Sequence, residues 1–315
     1  MTVLYDVAAH LAEQPVAIAE LAPRLGIGKR DLALFHRYYG LREVRLAPRA
    51  GQSDLMVAAA RALNELKGSE SRVTYLVSAR TVPAGSRTGD NPVHHAAGEL
   101  GLDHAAVFTV SQTACASGLA AVDLAGRLLA EDGDPEALAL VVAGEKTDWP
   151  TARLIPRTTV MGESAAACLV SAGGGAGDRM LSYVCRTYGE FSDVTLPEPW
   201  GTEFGLRYTE RLASVVGEAA GQAGLAVDEL AWILPHNVNR ISWQKAARRL
   251  DFPRERIYLD NVSSLGHCFG ADTFINYVSL RDRCRLRPGD CYLMATAGQG
   301  ATFAAAVFRF QGDQR

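Results

Sequence analysis

Short continuous apolar runs alternate along the chain with segments whose apolar residues recur at helical spacing. The runs predict buried strands, and the spaced segments predict helices that cover a sheet. In the first half the predicted strands cover residues 73–79, 107–110 and 137–144. The predicted helices there cover residues 18–26, 29–39 and 54–66, a segment that carries His94 and His95, and the Ala- and Leu-rich segment after Cys115.

The second half continues the same alternation. Its predicted strands cover residues 181–191 and 231–236, and its predicted helices cover residues 204–223 and 238–250. Strand and helix alternating in both halves favour parallel βαβ units in an α/β fold. SAGGGAG at residues 171–177 is the clearest composition break. We therefore expect two halves, residues 1–174 and residues 175–315.

Composition excludes several classes of protein. The chain has 315 residues, is 48% apolar and carries a formal net charge of -3, so it can bury a large core and offers no general surface for nucleic acid. No apolar run approaches the ~20 residues that span a bilayer. The N-terminal residues lack the pattern of a signal peptide. We expect a cytoplasmic protein that does not bind membranes.

Six cysteines are present, without a CxxC pair or histidine ligand spacing. Neither a disulfide framework nor a metal site is therefore indicated. Cys115 differs from the others because it falls at a predicted strand-to-helix turn, where backbone N–H groups and the helix dipole favour the nucleophilic thiolate. The alternative is a cysteine packed as a small apolar residue.

The motif TACASG around Cys115 resembles the nucleophile motif of ketoacyl synthases of the thiolase fold. LPHNVNR at residues 234–240 resembles the HQAN segment of ketoacyl-ACP synthase III, and AGQGATFAAAVFRF resembles that family's last strand. The order and spacing hold across nearly the whole chain. The resemblance implies duplicated βαβαβαββ halves in a five-layered α-β-α-β-α arrangement and a homodimer.

Carried over residue by residue, the resemblance makes Cys115 the nucleophile and His236 the histidine of HQAN. His267 stands where the family has asparagine, and Asp272 follows five residues later. Cys115, His267 and Asp272 resemble the acyltransferase-like branch of the family, in which a carboxylate orients a histidine base. Asp272 is alternatively a helix N-cap. His236 either donates to a thioester carbonyl during condensation or only positions substrate, and a Cys-His-His set would resemble the elongating synthases.

The resemblance also implies an oxyanion hole from the backbone N–H groups of Cys115 and Gln299. It implies substrate contacts at four positions: Asn239, Arg240, Gly298 and Gly300. The family's arginine two residues beyond Asn239 is Ile241 here, and its Arg-Thr-Gly is absent near residues 38–40. This departure favours a carrier-bound or unusual acyl donor over ordinary CoA binding.

Three functions follow as expectations. The first is an acyltransferase of secondary metabolism. It moves an acyl group from a CoA or acyl-carrier-protein thioester through acyl-Cys115 to a hydroxyl, amine or thiol acceptor, which is a small molecule or carrier-bound. The second is decarboxylative condensation with a malonyl thioester. The third is an inactive partner subunit of a ketosynthase complex. No cofactor is expected, and residues 83–92 and 149–157 should shape the pocket.

Overall fold

The computed structural model describes residues 1–81, 91–147, 153–173, 175–191 and 203–312. Of the loops expected to shape the pocket, residues 83–90 and 149–152 lie outside these residues, whereas residues 154–157 line the cavity described below. The first half contains the following elements: β1 (Val3–His10), β2 (Gln14–Ala17), α1 (Ile18–Leu25), α2 (Lys29–Leu34), β3 (Glu43–Leu46), α3 (Gln52–Arg61), β4 (Val73–Ala79), α4 (Pro92–Glu99), β5 (Ala106–Val110), α5 (Ser117–Asp132), β6 (Leu138–Ala143), β7 (Leu154–Ile155), β8 (Thr159–Val160) and β9 (Ala165–Ser171).

The second half repeats the order of strands and helices of the first, except that one strand is shortened to a single bridge. Its elements are β10 (Asp178–Thr187), α6 (Glu203–Gln222), β11 (Trp232–Pro235), α7 (Arg240–Leu250), α8 (Asp272–Asp282), β12 (Cys291–Gly298) and β13 (Thr302–Arg309). Where the first half has β5, the second has an isolated bridge between Ile233 and Ile257. The predicted βαβαβαββ order is therefore complete in the first half and has one strand reduced to a bridge in the second.

Nine strands form one mixed sheet in the order β11-β12-β13-β10-β1-β9-β6-β4-β5. The expected parallel pairing occurs between β4 and β5, β4 and β6, and β11 and β12. The other neighbours are antiparallel, so the expectation of parallel units holds only in part. The connection from β12 to β13 is too short for a crossover, and a short connection makes antiparallel neighbours.

β1 joins the two halves and was not among the predicted strands. It pairs with β9 along most of its length and with β10 at Val3 and Leu4. Its burial does not follow a simple period of two, which is why hydrophobic alternation did not reveal it. β10 begins at Asp178, after the glycine-rich segment. The boundary expected at residue 174 lies between β9 and β10.

Two helices lie between the halves. α5 contacts β4, β6 and β9 of the first half and β13 of the second, and α8 contacts β1 and β9 as well as β11 and β12. α3 and α4 pack together on the outer face of the first half, and α6 and α7 do so on the second. The result is the five-layered α-β-α-β-α arrangement that the resemblance implies.

The packing of α5 depends on its small residues. A Cβ at Gly118 would lie 2.4 Å from the carbonyl oxygen of Gly270, just before α8. A Cβ at Gly126 would lie 2.1 Å from the hydroxyl of Thr2. Both approaches are closer than any side chain permits, so glycine is required at these two positions. The approach at Gly118 brings the nucleophile-bearing end of α5 against the segment between His267 and α8.

Candidate active site

Cys115 lies in a short 3₁₀ turn, Ala114–Ala116, directly before α5. The sequence predicts this strand-to-helix position. Ala114 has φ 48°, in the left-handed region that side chains disfavour. Such strain persists where surrounding contacts fix the backbone. One of those contacts is the hydroxyl of Thr296, which donates to the carbonyl oxygen of Cys115 at 3.2 Å.

The end of β12 passes directly against this turn. A Cβ at Gly298 would lie 2.2 Å from the carbonyl oxygen of Thr113 and 3.1 Å from the backbone nitrogen of Cys115. Only glycine permits this approach. Gln299 follows and lines the same cavity as Cys115. The two residues expected to form the oxyanion hole are thus brought to one place.

His267 is held over the sulfur by its backbone. Its N–H donates to the carbonyl oxygen of Val160 at 3.0 Å, and its carbonyl oxygen accepts from Gly162 at 2.9 Å. Nε2 of His267 lies 3.2 Å from Sγ of Cys115. The hydroxyl of Thr81 donates to the same sulfur at 3.4 Å. Cys115 and His267 are both buried, so these contacts are shielded from bulk water.

Asp272 is the first residue of α8 and is not its cap, which is Ala271. One carboxylate oxygen lies 2.5 Å from Nδ1 of His267 and accepts from the backbone N–H of Asn237, also at 2.5 Å. The other oxygen accepts from the N–H of Cys268 at 2.7 Å. These bonds satisfy a buried carboxylate and fix its direction. The N-cap alternative for Asp272 is therefore wrong.

The charge of His267 follows from its neighbours. Burial alone would lower the pKa of the imidazole, but the Asp272 carboxylate and Cys115 raise the pKa of His267 to about 10. The ring is therefore an imidazolium at neutral pH. A cation 3.2 Å from Sγ stabilises negative charge on the sulfur.

His236 lies in the same cavity in a different environment. Its Nε2 is 2.6 Å from the hydroxyl oxygen of Tyr208, and its Nδ1 is 3.4 Å from the carbonyl oxygen of Ala295. Burial and the charge of His267 lower the pKa of His236 to about 3. The two rings are 6.0 Å apart between centroids. His236 is therefore neutral beside a charged His267.

A cavity of about 370 Å³ opens onto these groups. Its apolar lining includes Met161, Phe204 and Phe269, and its basic lining residues are Arg157 and Lys245, both exposed. A pocket of this character fits an acyl chain with a polar group at the entrance.

The four expected substrate contacts divide between the cavity and its surroundings. Asn239 and Gly298 line the cavity, although the Asn239 side chain also caps α7 by accepting from Ser242 at 2.8 Å. Arg240 and Gly300 do not line the described cavity. The Arg240 side chain lies against Gly40, where an added Cβ would be 2.5 Å from Cδ of the arginine. Packing thus accounts for the position of Arg240.

Glu163 forms a buried charged cluster with Lys146 and Arg153. It accepts from Lys146 at 2.7 Å, Arg153 at 2.9 Å and the hydroxyl of Thr147 at 2.8 Å. Burial would raise its pKa, but the bonds from Lys146, from the N–H of Ala47 and from Thr147 lower the pKa of Glu163 to about 2. The donors come from two parts of the chain, Ala47 on one side and Lys146, Thr147 and Arg153 on the other, so the carboxylate ties these two segments together.

Sequence reasoning missed Tyr208 and Thr81. Tyr208 lies on α6, whose hydrophobic pattern indicates only that one face of the helix is buried. A signal for Thr81 did exist, because it follows the end of a strand parallel to β5, and the carboxyl ends of parallel strands share one edge of a sheet.

Within the described parts of the chain, no cluster of three or more metal-ligating side chains occurs. Nor does any described helix have both the length and the apolar character needed to cross a membrane. All six cysteines are free.

Comparison with known sequences supports the resemblance to ketoacyl-ACP synthase III. Residues 220–310 match the family model for the 3-oxoacyl-[acyl-carrier-protein (ACP)] synthase III C terminal. β-Ketoacyl-[acyl-carrier-protein] synthase III of Rhizorhabdus wittichii is 30% identical over 236 residues, covering 67% of this chain and 69% of that protein. The same enzyme of Nitratidesulfovibrio vulgaris is 26% identical over 291 residues, covering 84% and 85%.

Solved structures share the whole architecture. The acyltransferase ChlB3 has a TM-score of 0.84 at 20% identity and covers 99% of this chain and 98% of its own. The 3-oxoacyl-[acyl-carrier-protein] synthase III of Aquifex aeolicus has a TM-score of 0.82 at 17% identity, covering 98% and 100%. At these identities the likeness shows the fold, which is thiolase-like as predicted.

Proposed function

Because the chain belongs to the β-ketoacyl-[acyl-carrier-protein] synthase III family, we propose that it is an acyltransferase that works through an acyl-cysteine. Cys115 takes an acyl group from a CoA or acyl-carrier-protein thioester and passes it to a hydroxyl, amine or thiol acceptor. Condensation and acyl transfer share the first of these steps. They differ in what attacks the acyl-cysteine.

One observation carries the proposal: an unbroken line of contacts from sulfur to imidazole to carboxylate. Sγ of Cys115 is 3.2 Å from Nε2 of His267, and Nδ1 of that ring is 2.5 Å from Asp272. A nucleophile, a base within hydrogen-bond reach and a group that orients the base are the parts that acyl transfer requires. Two backbone N–H donors fix the carboxylate, so the base has one orientation.

In the first step the Cys115 sulfur attacks the donor carbonyl and the thioester C–S bond breaks. The departing thiolate takes the proton from Nε2 of His267. Backbone N–H groups of Cys115 and Gln299 are the proposed donors to the oxygen of the tetrahedral intermediate. Loss of one such donor costs about 10²–10³ in rate.

In the second step His267 acts as the base. Acylation removes the charge interaction and the hydrogen bond through which Cys115 raises the pKa of His267. The neutral imidazole then accepts a proton from the acceptor as it attacks the acyl carbon. When the C–S bond breaks, the sulfur regains its negative charge beside an imidazolium, which restores the starting state.

The donor enters where the cavity carries Arg157 and Lys245, whose charges suit the phosphate of CoA or of a phosphopantetheine arm. We further propose that the protein is a cytoplasmic homodimer. It acts in secondary metabolism and needs no cofactor.

Thioester exchange tests the proposal without knowledge of the natural acceptor. Purified protein is incubated with acyl-CoA donors from acetyl to octanoyl and with N-acetylcysteamine as acceptor thiol. The expected result is acyl-N-acetylcysteamine formed with ping-pong kinetics. Cys115→Ala should abolish it, whereas Cys284→Ala, at an exposed cysteine, should not. Exchange that survives in Cys115→Ala would reject the proposal.

Decarboxylative condensation is the second candidate, and one observation favours it: two histidine rings lie 6.0 Å apart beside the nucleophile. Release of CO₂ from malonyl-CoA in step with consumption of the acyl-enzyme would establish it in place of transfer. An inactive partner subunit is disfavoured, because such a subunit has no need of an assembled Cys115, His267 and Asp272.

A further inference from the structure

Tyr208 changes what His236 can do. The phenol oxygen lies 2.6 Å from Nε2 of His236, and both side chains line the cavity that contains Cys115. The other ring nitrogen, Nδ1, faces the carbonyl oxygen of Ala295 at 3.4 Å. Since a carbonyl oxygen can only accept, Nδ1 is the nitrogen that carries the proton of the neutral ring. Nε2 is then an acceptor, and the Tyr208 hydroxyl donates to it at 2.6 Å, a much shorter contact than the one at Nδ1. The phenol is therefore the stronger of the two contacts that hold this tautomer, and without it the proton can move to Nε2.

A hydrogen bond and aromatic contacts hold the pair in place. The indole N–H of Trp243 donates to the carbonyl oxygen of His236 at 2.9 Å. The Tyr208 ring makes tilted or edge contacts with Phe204 and Phe303, each at 5.6 Å between centroids. Burial raises the pKa of the Tyr208 hydroxyl, so it keeps its proton. A buried donor and a buried acceptor in contact are costly to separate.

Decarboxylative condensation requires a hydrogen-bond donor that the Tyr208–His236 pair does not provide. When a malonyl thioester loses CO₂, the electron pair of the broken C–C bond moves onto the thioester as an enolate. The enolate carbon attacks the acyl-cysteine, and the Cys115 sulfur leaves as thiolate. N–H donors aimed at the enolate oxygen lower the barrier. His267 directs Nε2 at the sulfur, and Nε2 of His236 has no proton to offer.

We propose that Tyr208 is a specificity-determining residue which, by donating to Nε2 of His236, withholds the second hydrogen-bond donor from malonyl thioesters and so reserves acyl-Cys115 for transfer. The inference rests on the proposed function, since it concerns the fate of the same acyl-enzyme. Tyr208 acts through His236 and is not assigned a role in acylation of the sulfur.

Tyr208→Phe tests this, because it removes the hydroxyl and keeps the ring in its aromatic contacts. Wild-type and variant proteins are acylated with acyl-CoA, and release of labelled CO₂ from carboxyl-labelled malonyl-CoA is measured together with the acyl-Cys115 mass. We expect release, expressed per mole of acyl-Cys115, to rise at least tenfold in Tyr208→Phe. The gain should vanish in the double variant Tyr208→Phe/His236→Ala, which has no donor at this position.

Tyr75→Phe is the matched control, since its hydroxyl bonds Asp132 outside the cavity; it should leave CO₂ release unchanged. Release within twofold of wild type in acylated Tyr208→Phe overturns this inference alone. Absence of acyl-Cys115 in wild type overturns the proposed function and this inference with it. If Tyr208→Phe does not fold, ¹⁵N NMR of histidine-labelled wild type decides: an unprotonated His236 Nε2 supports the inference, and a protonated one overturns it.

Discussion

His236 and His267 are both fully buried in one cavity, yet their pKa values move in opposite directions. The pKa of His267 rises to about 10 because Asp272 and Cys115 face its two nitrogens, and these interactions outweigh burial. The pKa of His236 falls to about 3 through burial and the charge of His267, while its nitrogens face a phenol and a carbonyl. Burial is common to both rings, so their neighbours decide the charge.

This difference in charge gives the two rings different roles. A charged ring bonded to the nucleophile can give a proton to a leaving thiol and take one from an acceptor. A neutral ring with both nitrogens engaged can shape the cavity but exchanges protons poorly at neutral pH. The catalytic roles expected for both histidines from the sequence therefore separate, with the base assigned to His267.

Of the substitutions that test this comparison, His267→Asn should cause the largest loss of acyl transfer. It keeps a polar side chain and removes the base, so acyl transfer to N-acetylcysteamine should fall by about 10²–10⁴. Acylation of Cys115 itself should still be detectable by mass. His94→Asn, at an exposed histidine, serves as the control. Transfer that continues at the wild-type rate would show that His267 is not the base.

Asp272→Asn should have the next largest effect. It removes the charged partner of the ring and leaves an amide of the same size. A hydrogen bond to a charged group contributes about 1.5–3 kcal/mol, which corresponds to a loss of about 10–150-fold in transfer rate. Asp282→Asn, near the other end of the same helix and half exposed, is the control. A loss larger than that in His267→Asn would indicate that Asp272 mainly holds the fold together.

His236→Gln should reduce transfer by less than about tenfold, since the neutral ring is assigned no proton transfer. The measurement is steady-state thioester exchange in parallel with His267→Asn. Losses of equal size in the two variants would remove the distinction between the rings.

The pH dependence of stability should differ in sign between the two rings. The pKa of His267 is raised above the unfolded value near ~6.5, so its contribution is fully present below that pH and is lost as pH rises through about 10. The pKa of His236 is lowered, so its contribution is present above ~6.5 and is lost as pH falls toward about 3.

Urea unfolding of wild type, His267→Asn and His236→Gln at pH 5, 7 and 9.5 measures both signs. The stability gap between wild type and His267→Asn should shrink at the highest pH. The gap for His236→Gln should shrink at the lowest. Gaps that do not change with pH would contradict the assigned charges.

Local motifs predict much of this site, because turns and strand ends have sequence signals. The turn at Cys115, the strand that ends before His236 and the departure at His267 all lie where the sequence indicates. Asp272 could be read in two ways, since aspartate near a helix start also serves as a cap. Its partners, two N–H groups and an imidazole, lie 4 to 35 residues away along the chain.

Long-range packing sets the rest. Tyr208 meets His236 across 28 residues, through the way α6 rests on the sheet, and an amphipathic pattern does not specify which aromatic residue reaches the cavity. Arg240 matches a substrate position by order along the chain, but its side chain is taken up by contact with Gly40. The sequence did not reveal β1 because buried and partly buried residues follow one another in pairs along this strand and do not alternate.

Site-resolved mass spectrometry of the acylated protein tests the central claim most directly. Protein is incubated with octanoyl-CoA, quenched in acid and digested, and the acyl mass is located among the six cysteine-containing sites. The account predicts one octanoyl group on Cys115, discharged when N-acetylcysteamine is added before the quench. An acyl group absent from Cys115, or one that remains there undiminished in the presence of the acceptor thiol, would contradict it.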